Sequence, residues 1–299
     1  MINTLYQYLD NIRHNLRVDP SSVREIISEL ETHIEDELQE MRESGMSEEE
    51  AGSACMNLLG STKIVTQQIY EAHSQGTWGQ ALLAAMPHLL FSLLFALNWW
   101  QGEGWLIAIL ILGLSVIAYG WRYGRPTWLF PWLGYSLLPV AVAGIALFYL
   151  PKGWSWLALL LYIPLVMGLL YFITIQSIKR DWLYGSLMLL PIPVITSWFL
   201  VVKTGGTFPE YSVQYIRDFA PWIGLSFLTL AISVVIFIRL RQRWLKASVL
   251  LIPGLITLTI IAFYTGGRLS IPALLVLTLV MLNLFFIPAL LDHKIRHSR

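Results

Sequence analysis

The chain has 299 residues, of which 56% are hydrophobic and only 13% are charged, and its formal net charge is +1. Its single cysteine, Cys55, excludes an intrachain disulfide. The near-neutral total conceals two parts of opposite charge, and this split indicates two domains.

Residues 1–75 contain five Lys and Arg against fourteen Asp and Glu, whereas the remainder contains fifteen against five. The first part therefore has a net charge of −9 and the second a net charge of +10. A strongly acidic surface repels phosphate, so direct binding to nucleic acid is not expected.

Helix signals divide residues 1–75 into four helices. An apolar stripe from Ile2 to Leu16 repeats every three or four residues, and Asp19-Pro20 then opens a second helix that Gly45 ends. Ser47 and Glu50 have the spacing of a capping box, which opens a third helix. A fourth helix follows Ser61. We expect a small four-helix domain. About 75 residues bury too little surface for high stability, so we expect this domain to be helped by self-association or by packing on another surface.

Five motifs in this segment carry a family resemblance. They are Tyr8-Leu9-Asp10, Asp19-Pro20, the run REIISELETHIED at 24–36, GMSEEEA at 45–51, and Leu59-Gly60-Ser61. Together they resemble the HTH-associated alpha-helical signalling domain, HAAS. The resemblance covers residues 1–75 and implies a cytoplasmic signalling module of bacterial membrane proteins, often associated with PadR-type winged-helix transcription regulators. Similar helical prefixes precede some transporter permeases, so the domain alone does not fix the output.

The remainder, residues 80–299, holds eight apolar stretches of about 17 to 23 residues, each long enough to cross a membrane as a helix. Their cores contain no charged residue, and Trp lies near many of their ends, as it does at membrane interfaces. The predicted spans are 80–100, 105–121, 128–150, 154–175, 182–202, 219–238, 246–264 and 269–291. We therefore predict an all-α protein in which a small four-helix domain precedes an eight-helix transmembrane bundle.

Lys and Arg are unevenly shared between the loops on the two sides of these spans. One side carries eleven of them and the other carries four. By the positive-inside rule the richer side is cytoplasmic, which places the N-terminal segment and the C-terminal tail inside the cell. The expected location is the bacterial inner membrane, as a multi-pass protein in contact with the lipid bilayer.

A spacing of nine residues from Trp to Pro recurs in three odd-numbered spans, at Trp78–Pro87, Trp182–Pro191 and Trp244–Pro253; in the remaining one Phe130 takes the place of Trp, at the same distance from Pro139. This pattern indicates four two-helix repeats in the same orientation. A neighbouring helix or a Ser can bond the carbonyl that each proline leaves free. The prolines either line a shared cavity or are ordinary prolines of lipid-embedded helices.

Few side chains inside the spans could carry chemistry. His88 is either a proton-responsive group or a histidine bonded to a neighbouring helix; Asn98 lies near a helix end, and Asn283 is expected to join helices. In the first domain, His33, Asp36 and Glu37 have a spacing that could meet one ion, but a solvated face is the expected interpretation. No nucleotide-binding, metalloprotease or serine-hydrolase motif is present. We predict no catalytic, cofactor or metal site and no enzymatic activity.

The sequence thus favours a membrane-embedded signalling or regulatory protein, in which the spans sense an apolar ligand, the lipid state or a partner. The helical domain would report to a cytoplasmic protein through the short connection at 74–79. A basic partner, such as a winged-helix regulator, is expected to bind the acidic residues Glu29, Glu31, Glu35, Asp36 and Glu40. The alternative is a permease or transporter subunit with a regulatory prefix domain, bound to a transport component.

Overall fold

A computed structural model describes residues 2–16, 18, 20–124, 126–135, 154–178, 181–202, 213–267 and 269–297. Within these ranges the chain forms thirteen α-helices and one 3-10 helix, and contains no strand. The predicted all-α fold is confirmed. The chain divides into two compact units, residues 1–75 and 76–299, which are described separately below.

The first unit contains four helices, each with an apolar face turned inward. The helices are α1 (Ile2–Asn15), α2 (Pro20–Glu43), α3 (Glu48–Leu59) and α4 (Thr62–His73). Ile12 on α1, Ile27 on α2 and Cys55 on α3 are almost completely buried. Burial raises the pKa of the Cys55 thiol, as expected for a small core side chain rather than a reactive one.

The connections of this unit follow local rules of helix capping. The Ser47 hydroxyl accepts a hydrogen bond from the Glu50 amide, and the Glu50 carboxylate accepts one from the Ser47 amide, so the predicted capping box is confirmed. Gly60 ends α3 with a φ of 74°, a conformation that favours glycine. Ser61 caps α4 by accepting a hydrogen bond from the Ile64 amide.

The second unit contains the remaining helices. They are α5 (Trp78–Ala96), a 3-10 turn (Trp99–Gln101), α6 (Glu103–Arg122), α7 (Leu129–Tyr135), α8 (Trp154–Ile178), α9 (Trp182–Leu189), α10 (Pro191–Val202), α11 (Val213–Arg239), α12 (Arg243–Tyr264) and α13 (Ile271–His297).

Six stretches of the described residues are helices long and apolar enough to cross a membrane, as expected for a multi-pass membrane protein. They are Trp78–Ala96, Gly104–Arg122, Trp182–Val202, Val213–Arg239, Arg243–Tyr264 and Ile271–Asp292. Of the other two predicted spans, 154–175 lies within α8, a helix of 25 residues without a charged side chain. The span predicted at 128–150 begins in α7, and its residues 136–150 lie outside the described ranges.

The prolines of the proposed repeat behave differently from one another. Pro87 and Pro253 lie inside continuous helices, whereas Pro191 is the first residue of α10, after a break at Leu190. Pro193 follows Pro191 after one residue, so two backbone amides are missing within one turn. Two missing amide hydrogens so close together interrupt a helix more strongly than the single one at Pro87 or Pro253. Pro139 lies outside the described residues.

The α9–α10 pair lies at the centre of the second unit. In its apolar window 72% of the residues are buried, against 6% for α6. Helices α7, α8, α12 and α13 pack against α9. The exposed surface of α6 is apolar, with Leu106, Ile107 and Leu110 all exposed. Such a surface is stable against lipid rather than water.

Replacing Ser47 with Ala removes the hydroxyl that caps α3 and should cost about 1 kcal/mol locally. We expect the amides of residues 48–51 to exchange hydrogen several-fold faster, measured by mass spectrometry on the full chain. Hydrogen bonds with Ser47 lower the pKa of the Glu50 carboxyl. The capping box is therefore intact above the usual pKa of a glutamate, and it is lost as the pH falls through the lowered pKa of Glu50.

The matched control is Ser53→Ala, at an exposed position of the same helix. Equal exchange in the two variants would contradict a capping role for Ser47.

Candidate functional site

An apolar groove lies between α5, α6 and α7, with a volume of about 410 Å³. This volume falls within the range of about 300–1,000 Å³ that is usual for small-molecule sites. Its lining residues are Pro87, Leu90, Phe91, Leu94, Leu106, Ile107, Ile109, Leu110, Gly113, Leu114, Ile117, Trp132 and Tyr135. None of these side chains is charged, so the groove is suited to an apolar molecule.

Pro87 lies in the middle of α5, on the wall of this groove. Because proline has no amide hydrogen, the carbonyl of Leu83 lacks its usual donor within the helix. The indole Nε1 of Trp132 on α7 donates a hydrogen bond to this carbonyl at 2.9 Å. The prediction that a neighbouring helix bonds the free carbonyl is therefore confirmed at Pro87.

His88 follows Pro87 and is completely buried. Its Nδ1 lies 2.7 Å from the hydroxyl oxygen of Tyr135 on α7, which is a hydrogen-bonding distance. The expected bond between His88 and a neighbouring helix is thus observed. The Tyr135 ring also stacks on Phe91, with 4.5 Å between ring centroids, so contacts with α5 fix its position on two sides.

Helix α5 also packs closely against α11. The Ser92 hydroxyl donates a hydrogen bond to the carbonyl of Gly224 at 2.8 Å. A Cβ at Gly224 would lie 3.1 Å from the Ser92 carbonyl oxygen, so glycine is what permits this approach. Ala81, Ala84 and Ala85 are buried on α5 as well. Small residues of this kind let two membrane helices come together.

The first turn of α5 is held by the end of α11, and we call this set of contacts the Gly76 junction. The Gly76 amide donates to the carbonyl of Ile238 at 2.9 Å, and Arg239 Nη1 donates to the carbonyl of Gly76 at 2.8 Å. The Arg239 guanidinium also lies 4.5 Å from the centre of the Trp78 ring, a cation–π contact. Thr77 and Gln80 form a capping box at the same place. The junction therefore fixes the chain where the second unit begins.

Charged side chains join the starts of α9 and α12. Asp181 caps α9, its side chain is completely buried, and its Oδ1 lies 2.8 Å from Nη2 of Arg243. Lys246, one turn further along α12, is also buried, with its Nζ 5.3 Å from the centre of the Phe237 ring. Removing one partner of a buried pair leaves an uncompensated charge, so these groups fix the helix ends in place.

The five residues predicted to bind a partner all lie on α2, but not on one face. At 100° per residue, Glu29, Asp36 and Glu40 lie within about 40° of one another, and all three are exposed. Glu35 is exposed and Glu31 is half-buried, and both lie on the opposite flank, on the same side as Arg24 and Arg42. We call Glu29, Asp36 and Glu40 the acidic stripe. It is the more strongly negative of the two surfaces.

The two asparagines of the spans make local contacts. Asn98 lies at the end of α5 with a φ of 56°, and its Oδ1 accepts a hydrogen bond from Trp100. Asn283 is exposed and donates to the carbonyl of Leu279 in its own helix. The expectation that Asn283 joins two helices is wrong for the described residues, because its amide bonds within α13. Nor do the described residues include a group of three metal-binding side chains.

Sequence reasoning missed Trp132, Tyr135, Gly76 and Arg239. Pro87 indicated that some donor was needed, yet Trp132 is 49 residues away and only the packing of α7 identifies it. Gly76 and Arg239 are 163 residues apart and share no sequence pattern.

No family model, curated protein or solved structure matches this chain. The resemblance of residues 1–75 to the HAAS domain therefore depends on the motifs quoted above, and the function is argued from the geometry.

Replacing Gly224 with Leu should separate α5 from α11, because the new side chain meets backbone atoms of Ser92 and Ala96. We expect a loss of about 1–3 kcal/mol, the usual cost of overpacking, and a lower Tm in detergent by tryptophan fluorescence. Gly168→Leu on α8 is the control, since nothing lies within 4 Å of an added Cβ there. Equal melting of the two variants would show that the close approach at Gly224 is not needed.

Proposed function

We propose that the chain is a bacterial inner-membrane signalling protein that binds an apolar ligand in its membrane unit and reports this through residues 1–75 to a cytoplasmic partner. Both chain ends lie in the cytoplasm in this proposal, as the distribution of Lys and Arg favours. The proposed architecture is the HAAS-like four-helix domain followed by eight membrane spans. Six of these are the apolar helices given above, and the other two are the spans predicted at 128–150 and 154–175.

The observation that carries the proposal is that α5 lines the groove and also begins close to the boundary between the two units. Leu90, Phe91 and Leu94 on α5 line the groove. The same helix begins two residues after the boundary at 75/76, inside the Gly76 junction. A ligand that changes the position of α5 would therefore act directly on the segment that leads to the first unit.

The proline supports this role for α5. Pro87 lies between the junction and most of the groove residues, and its backbone lacks one hydrogen bond. The two halves of α5 can therefore change their relative angle more readily than those of an uninterrupted helix. The capping box at Thr77 keeps the first half regular up to its start.

The partner is proposed from charge. The acidic stripe of α2 is exposed and suits a basic protein surface, such as that of a winged-helix regulator. Electrostatic complementarity of this kind contributes mainly to association rate and specificity. The permease alternative would instead bring a transport component, such as an ATPase, into the same complex.

Signalling should depend on the Gly76 junction. A Cβ at Gly76 would lie 2.5 Å from Cγ2 of Ile238, so Gly76→Ala should open the junction, whereas at Gly79 the nearest atom is 3.9 Å away. We expect Gly76→Ala, like a long Gly/Ser linker in place of 74–79, to give the transcript profile of a deletion strain. Gly79→Ala should behave as wild type. A wild-type profile with Gly76→Ala and with the linker would rule out rigid coupling.

Partner binding should depend on the acidic stripe. We expect the triple change Glu29→Lys, Asp36→Lys and Glu40→Lys to lower partner retention at least tenfold in affinity purification from native cells in mild detergent, followed by mass spectrometry. The double change Glu31→Lys and Glu35→Lys should have the smaller effect, because basic residues already lie on that side.

The chain without residues 1–75 is the control for specific capture. A winged-helix regulator lost with that truncation supports the proposal, whereas an ATPase retained by the truncated chain supports the permease alternative. Full retention by the triple variant would show that the partner binds elsewhere.

A further inference from the structure

The hydroxyl of Tyr135 lies at a depth where the surrounding membrane has only hydrocarbon and no hydrogen-bonding group. Pro87 has nine residues of α5 on either side, which places it about 14 Å from each end at 1.5 Å per residue. Its neighbour His88 and the Tyr135 hydroxyl therefore lie near the middle of the span. Phospholipid headgroups lie at the surfaces of a hydrocarbon layer about 30 Å thick, so they do not normally reach this depth.

Among the described side chains that line the groove, only Trp132 and Tyr135 carry a hydrogen-bonding group. The indole of Trp132 already donates to the carbonyl of Leu83. Tyr135 is thus the remaining described lining residue whose side chain has a polar group. A hydroxyl can donate one hydrogen bond and also accept, so its bond with His88 does not exhaust it.

The surroundings of His88 indicate whether His88 or Tyr135 donates the hydrogen bond between them. Nε2 of His88 is buried and has no hydrogen-bond partner among the described atoms. If Tyr135 donated to Nδ1, Nε2 would carry a buried N–H without an acceptor, which is rare in proteins. If Nδ1–H donates to the Tyr135 oxygen instead, Nε2 carries no hydrogen and is an acceptor without a donor. This arrangement costs less free energy than a buried N–H without an acceptor. The Tyr135 hydrogen then remains available to a molecule in the groove.

From this geometry we propose that the groove binds a neutral lipid whose single hydrogen-bond-accepting oxygen, a carbonyl or hydroxyl oxygen, accepts from Tyr135 at mid-depth. This deepens the proposed function and rests on it. A charged lipid head does not suit the site, because none of the described residues that line the groove has a charged side chain to offset the cost of a charge at this depth. A plain hydrocarbon would leave the Tyr135 donor without a partner. The stacking of Tyr135 on Phe91 holds the ring in place before the lipid binds.

The test uses the full chain in phospholipid vesicles and three photoreactive probes of equal chain length, each with a diazirine in the chain. The probes are a methyl ketone, the matching hydrocarbon and the matching carboxylic acid, and labelled peptides are identified by mass spectrometry. We expect the ketone to label α5, α6 and α7 about fivefold more than the hydrocarbon, the factor of one net hydrogen bond, and the acid to label them weakly.

Two variants separate recognition of the oxygen from filling of the groove. Tyr135→Phe keeps the stacked ring but removes the donor, so ketone labelling should fall to the level of the hydrocarbon. Gly113→Leu places a side chain in the groove, where nothing lies within 4 Å of an added Cβ, and should reduce labelling by both probes. Gly168→Leu, equally open but outside the groove, should change neither.

Equal labelling by ketone and hydrocarbon in the wild type would overturn the proposal and show that bulk bilayer lipid fills the groove. Unchanged ketone labelling with Tyr135→Phe would overturn it too. Stronger labelling by the acid would mean that the bound head is ionic. Labelling and partner capture are separate measurements, so failure of the neutral-lipid proposal and failure of the signalling proposal are distinguishable.

Discussion

The missing amide hydrogen of Pro87 is the constraint on which the arrangement of the groove depends. It leaves the Leu83 carbonyl in need of a donor, and in a membrane no water is present to supply one. Trp132 supplies it and so holds α7 against α5. One turn further along α7, Tyr135 then meets His88 and Phe91. The position of α7 beside the groove, the position of Tyr135 and the missing backbone hydrogen bond of α5 therefore all arise from the same proline.

Helix α11 provides the fixed surface against which α5 can move. The two helices run antiparallel, since the start of α5 meets the end of α11 while Ser92 meets Gly224. Beyond the end of α5, Arg217 of α11 donates to Gln101. These contacts lie near both ends of α5 and in its second half. Phe91, which lines the groove, also packs against Phe227 of α11, with 5.4 Å between the ring centroids. In the proposed function, a molecule in the groove would therefore act on α5 and, through Phe91, on its contact with α11.

Local chemistry explains what the sequence predicted well. The capping box at Ser47, the glycine at position 60 and most spans depend on residues that are close together in the chain. The hydrogen bonds that define the groove and the Gly76 junction join residues 47 to 163 positions apart, and many partners would satisfy the same local rules. The acidic face of α2 shows a different limit. Composition identified the carboxylates, but only their angular positions separate the acidic stripe from Glu31 and Glu35.

The energies involved are compatible with a reversible switch. Residues 78–87 separate the Gly76 junction from the middle of α5 by about 14 Å. The junction consists of one backbone hydrogen bond, one hydrogen bond from the Arg239 guanidinium to the Gly76 carbonyl and one cation–π contact. A neutral hydrogen bond contributes about 0.5–1.5 kcal/mol net, and one from a charged group about 1.5–3 kcal/mol. Coupling between two sites in a protein is usually about 1–3 kcal/mol. In the proposed mechanism, a bound lipid would therefore shift the equilibrium of the junction but would not displace the whole α5–α11 interface, so that Gly76 rather than Gly224 would be the point of control.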